Sequence, residues 1–146
     1  MKRILIATAA LLLAAGTASA AEWKKLVTAD ELAALDGVTV VDIRAPEAYG
    51  TAHVPGAVNA PYGKWRGPAD NPGAVISDEA LTALLQGAGL DHSDRVVITH
   101  AGEDQTDFGA AARVYWTLKS AGFPEIAILN GGVNGWVAAD KPVSAE

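Results

Sequence analysis

The chain has 146 residues, with 11 Lys and Arg against 17 Asp and Glu, and its net charge of −6 argues against nucleic acid or an anionic membrane surface as a partner. Cysteine is absent, which excludes a disulfide framework, a thiolate nucleophile, a persulfide carrier and a thiolate metal ligand. Stability must therefore rest on a packed core.

Met1-Lys2-Arg3 gives a short basic start, Ile4 to Gly16 is almost entirely apolar, and Thr17-Ala18-Ser19-Ala20 supplies small residues. The pattern is that of a secretory signal peptide over residues 1–20, cleaved after Ala20 or Ala21, because the apolar run is too short for a comfortable membrane span. Cleavage would remove Lys2 and Arg3 and leave 9 basic against 17 acidic residues, a mature charge of −8. Residues 21–146 have the size of one domain, expected in a bacterial periplasm or secreted, with no stable membrane insertion.

Thr28 stands three residues ahead of Glu31 and before Leu32 and Leu35, the signature of a short helix start, and Gly37 ends that element. Val38 to Val41 is a β-branched run that suits a buried strand and delivers Asp42 and Arg44 to its C-terminal end. A loop is expected from Pro46. His53 to Asn59 reads as a turn on Pro55-Gly56 followed by one short strand, and Trp65 to Gly73 reads as loop. Ser77 caps a helix carrying Leu81, Leu84 and Leu85, closed by Gly87 and Gly89.

Val96-Val97-Ile98 is a second buried strand, followed by a polar loop. Gly109 to Ala121 has helical spacing, with Tyr115 and Trp116 expected in the core, and Gly122 ends it. Ile126 to Leu129 is a third strand. Asn130-Gly131-Gly132 turns the chain into a short helix over Val133 to Ala139. Strands alternating with helices imply an α/β fold: an open parallel sheet with helices on both faces and a site beyond the strands' C-terminal ends.

Taken together and in order, Val41-Asp42-Ile43-Arg44, His53 to Asn59, Arg95 to Ile98, and Leu129 to Gly132 with Trp136 resemble the rhodanese (sulfurtransferase) family over roughly Thr28 to Val143. Within this resemblance Asp42, Arg44, His53, Gly56, Gly131, Gly132 and Trp136 are structural motif residues. The acid and base tie the loop after a strand to its neighbours, and the glycines supply positive φ.

In active members the strand matching Val96 to Ile98 leads into a cysteine, and the loop after it cradles an anionic sulfur donor with backbone amides. Here His100 falls on the cysteine position, and no residue is assigned a catalytic role. The ligand-binding loop is then His100, Ala101, Gly102, Glu103, Asp104, Gln105, Thr106 and Asp107. It is longer than the usual sulfurtransferase loop, and its three carboxylates oppose an anion. The same loss of the thiolate counts against the related phosphatase chemistry.

The segment Gly109 to Trp116 resembles the cysteine-less, non-catalytic half of two-domain thiosulfate and mercaptopyruvate sulfurtransferases. The resemblance implies a binding or regulatory module related to sulfur metabolism, whose partner is a protein or a small sulfur-containing ligand. The alternative is a sulfurtransferase that works with an unconventional residue or with a partner's cysteine. A divalent cation held by His100, Glu103, Asp104 and Asp107 is the weaker reading of the loop, because the spacing matches no metal motif, so neither metal nor other cofactor is expected. His92 is expected at the surface, and Ser77, Ser93 and Ser120 lack a nucleophile-elbow context.

Overall fold

The aliphatic runs form the centre of an all-parallel, five-stranded sheet in the computed structural model, which describes residues 22–145; the expected leader lies outside these residues. In chain order the strands are β1 (Leu26–Val27), β2 (Val38–Asp42), β3 (Val58–Asn59), β4 (Arg95–Thr99) and β5 (Ile126–Leu129), arranged β1-β5-β4-β2-β3. The register pairs Val40 with Val97, Val41 with Ile98 and Asp42 with Thr99. The C-terminal ends of β2 and β4 therefore lie side by side, and Ile43 N–H extends the ladder to Thr99 O.

Helices cover both faces. α3 (Asp78–Gly87) and α4 (Gln105–Ser120) close one core, in which Leu85, Val114 and Leu118 pack on Val41, Val96, Ile98 and Ile128. α1 (Ala29–Ala33) and α5 (Gly132–Ala138) close the other, with Leu32 and Trp136 on Val40, Val97, Ala127 and Leu129. α1 is short, and a complete capping box holds its start: Thr28 Oγ1 accepts from Glu31 N–H while Glu31 accepts from Thr28 N–H. Among the described residues no helix is long and apolar enough to cross a membrane.

Several expectations need correction. The chain from Pro46 is a helix, α2 (Pro46–Thr51), because Pro46 occupies its first position with φ preset and Glu47 favours the N-terminal turn. Trp65, read as loop, ends a 3-10 turn (Tyr62–Trp65) and is fully buried, with its Nε1–H donating to Ala60 O. Trp116 is 48% exposed, on the outer side of α4, although Tyr115 packs against the core as expected. His92 is exposed. Most consequentially, α4 begins at Gln105 rather than Gly109, because Asp104 is a true N-cap whose Oδ1 accepts from Thr106 and Asp107 N–H.

Candidate functional site

The C-terminal ends of β4 and β2 carry the site. Past Thr99 the chain enters His100, crosses four residues (Ala101 to Asp104) and turns into α4. The eight-residue loop read from the sequence is thus a five-residue loop, His100 to Asp104, since Gln105, Thr106 and Asp107 form the first turn of the helix. That shortening decides where the acids point. Asp104 is consumed by its cap, Glu103 faces solvent, and Asp107, at the third helical position, is aimed back at the loop.

Asp107 meets three successive amides of the loop. Its Oδ1 accepts from Ala101 N–H at 3.2 Å, and its Oδ2 accepts from Gly102 N–H at 2.6 Å and Glu103 N–H at 3.1 Å. The same Oδ2 lies 2.7 Å from His100 Nδ1. Three converging amides form a nest for an anion, and the anion seated in it is the chain's own carboxylate. Burial opposes ionisation of Asp107, but the hydrogen bonds from His100 and from the amides of Glu103, Gly102 and Ala101 outweigh it and hold the carboxyl below the usual carboxylate range. The carboxylates expected to repel a ligand from outside are in fact divided, with one occupying the cradle itself.

His100 is almost wholly enclosed, its side chain 3% exposed. Since Asp107 Oδ2 is an acceptor only, the network assigns the Nδ1 proton to the imidazole, and Gly102 N–H, also 3.2 Å from Nδ1, directs its proton to Oδ2 instead. The Nε2 atom is buried and has no hydrogen-bond partner among the described residues. Phe108, 40% exposed, sets its ring at 80° to the imidazole with centroids 5.7 Å apart.

Around this loop the remaining motif residues build a frame. Asp42, fully buried, takes a forked contact from Arg44, with Nε at 3.0 and 3.1 Å from its two oxygens and Nη2 at 2.6 Å from Oδ2. Arg44 Nη2 also donates to Ala52 O at 2.7 Å, which ties β2 to the end of α2. His53 is buried, stacks on Tyr49 with centroids 3.8 Å apart, and bonds through Nδ1 to Tyr49 O. Its backbone pairs with Ser144. Gly56 takes the positive φ of 76° that the Pro55 turn requires. Trp136 is buried and donates from Nε1 to Pro142 O.

Gly131 and Gly132 do more than exit β5. The start of α5 rests on the loop, with Val133 N–H donating to His100 O and Asn134 N–H to Ala101 O. A Cβ on Gly102 would lie 1.8 Å from Gly131 O, and one on Gly132 would lie 2.4 Å from His100 O. Gly102 also has φ 86°. Gly102→Ala is therefore expected to cost about 2–3 kcal/mol from steric overlap and αL strain together, read as a fall in the denaturation midpoint. A variant as stable as wild type would show that loop and α5 separate freely.

Among the described residues no group of three His, Asp or Glu side chains converges as a metal site. His100 and Asp107 are brought together, but Glu103 and Asp104 do not join them as ligands.

A parallel α/β sheet with a short loop between β4 and α4, in a chain without cysteine, is the setting in which the comparisons with known proteins stand. The rhodanese-like domain profile matches residues 19–139. A putative thiosulfate sulfurtransferase of Synechococcus elongatus is 35% identical over 109 residues, covering 73% of this chain and 33% of that protein. The putative thiosulfate sulfurtransferase SseB of Mycobacterium tuberculosis is 30% identical over 140 residues, covering 82% and 46% respectively. The chain thus spans between a third and a half of the length of these relatives. Among solved structures, YnjE superposes with a TM-score of 0.68 at 27% identity over 82% of this chain and 30% of that one. The 3-mercaptopyruvate sulfotransferase SseA from Escherichia coli superposes with a TM-score of 0.69 over 84% of this chain and 50% of that one, at 22% identity, a likeness of fold. The chain belongs to the rhodanese-like domain family.

Proposed function

We propose that the protein is an exported rhodanese-family binding or regulatory module related to sulfur metabolism, which does not transfer sulfur on its own. One observation supports this reading: the chain holds no cysteine, and in the loop after β4 the amides of Ala101, Gly102 and Glu103 are bonded to Asp107 beside the buried His100. A sulfur oxyanion would have to displace an ionised carboxylate held by four hydrogen bonds. Nothing in the chain then receives the sulfur, because it holds no cysteine. The basic-then-apolar leader supports export to a periplasm or beyond.

The names of the relatives favour a second reading, in which the domain contributes to sulfurtransferase chemistry through a cysteine supplied by a partner. Both readings give the pure protein no turnover. The test is the conversion of thiosulfate and cyanide to thiocyanate and sulfite. Only background rate is expected, and multiple turnovers lost in His100→Gln would overturn the non-catalytic reading.

A further inference from the structure

We infer that the outer face of α4 is the contact through which two copies of this chain associate, antiparallel about a twofold axis at Ala112, independently of how the loop after β4 is used.

The starting point is apolar surface left on the outside. α4 buries Ala111, Val114 and Leu118 in the core, and its other side carries Phe108, Ala112 and Trp116 at a spacing of one turn. Phe108 is 40% exposed and Trp116 48% exposed, although rings of this size normally fill a core. Arg113 stacks on the Trp116 ring and donates from Nη2 to Gly73 O and Ala74 O, which draws in the segment that carries the exposed Val75. Three of the six large apolar side chains that stand exposed among the described residues thus lie along α4.

The pattern is self-complementary, as an isologous contact requires and a foreign partner would not. In an antiparallel pair centred on Ala112, a rise of about 1.5 Å per residue sets Phe108 of one copy level with Trp116 of the other, about 6 Å from the axis. Ala112, half-buried, and Gly109, exposed and without a side chain, let the two backbones approach at the crossing, and an aromatic pair closes each end.

Charge follows the same symmetry. Glu103 and Asp104 precede the first turn of α4 and Lys119 lies in its last, while Asp107 between them is turned into the loop. Antiparallel pairing brings Lys119 of each copy to Glu103 of the other and opposes the two helix dipoles. A chain with a net charge of −6 repels its copies over most of its surface, and this ridge offers them no free carboxylate. A single helix face falls short of the about 800 Å² per partner of a standard interface, so the dimer is expected to dissociate on dilution. Phe108 also sets its ring against the His100 imidazole, so pairing seats the second copy beside the loop.

Sedimentation equilibrium of the purified protein between about 5 and 500 μM is expected to show a monomer–dimer equilibrium. Trp116→Glu, at an exposed position, is expected to weaken it by at least about tenfold, because a central aromatic anchor carries much of such a contact. Glu103→Lys and Lys119→Glu are each expected to weaken it by about threefold, and the two together to restore the wild-type value. Since the chain holds no cysteine, single cysteines report position. Ala112→Cys, on the axis, is expected to give a disulfide-linked dimer under mild oxidation, whereas Ser120→Cys, about 24 Å from its counterpart, is not.

A wild type that stays monomeric over the whole range overturns the dimer. An association that Trp116→Glu leaves unchanged does the same, as does a double charge variant weaker than either single one. Ser120→Cys linking as readily as Ala112→Cys overturns the antiparallel register. Glu103 and Lys119 are exposed, so the charge variants decide the matter even where Ala112→Cys fails to fold.

Discussion

Arg44→Met is expected to destabilise the domain by about 3–5 kcal/mol, the range for removing one member of a buried ion pair and stranding the other. Asp42 has no exposed surface, and three of its close contacts come from the Arg44 guanidinium, the nearest at 2.6 Å. Methionine keeps most of the stem's packing, so the loss isolates the charge. Arg44 also holds Ala52 O, so the end of α2 is expected to loosen with it. Arg44→Lys preserves the charge but not the fork, and a smaller cost of about 1–2 kcal/mol is expected. Urea unfolding monitored at the tryptophans measures both, and a Met variant within about 0.5 kcal/mol of wild type would show that Asp42 is solvated or otherwise paired.

Asp107→Asn is expected to cost about 2–4 kcal/mol. The substitution keeps size and removes charge, and its amide nitrogen, a donor, must face backbone N–H groups that are donors as well. By comparison Asp104→Ala, which removes only the cap of α4, is expected to cost about 1 kcal/mol. The two acids stand three residues apart, and the difference between them separates a cap from a nest.

The same carboxylate gives a pH signature. Its folded pKa lies below its ordinary value of 3.8, so the unfolded chain takes up the proton first as the solution is acidified. The contribution is complete above 3.8 and is lost as pH falls through the folded value. The Asn variant is therefore expected to lose less stability than wild type between pH 5 and pH 2, and parallel curves would show that Asp107 is not held by the loop.

Much of the scaffold was readable from local chemistry. The β-branched and aliphatic runs Val38 to Val41, Val96 to Ile98 and Ile126 to Leu129 became the three central strands, and Thr28 with Glu31 became a complete capping box. Leu26–Val27 was not readable as a strand, because two residues carry no period and their pairing with β5 is set by tertiary contact. α2 did leave a signal, Pro46 ahead of Glu47, which suits a helix start as well as a loop.

The site divides in the same way. The histidine at the end of the fourth strand and the acidity after it were visible, but the direction of those acids was not. Asp104 followed three residues later by Asp107 fits the spacing of a capping box, which would have placed the helix start at Gln105. That Asp107 then reaches past the cap to the amides of Ala101, Gly102 and Glu103 depends on the loop's closure on α5, with Gly102 against Gly131, a long-range packing that no local pattern encodes.

The most direct test of a cradle filled from within is a calorimetric titration of thiosulfate into the wild type and into a folded Asp107→Ser variant. The wild type is expected to give no binding heat, and the variant, with its loop amides released, is expected to bind the anion. Thiosulfate binding to the wild type as tightly as to the variant would contradict the assignment of Asp107 as the occupant of the site.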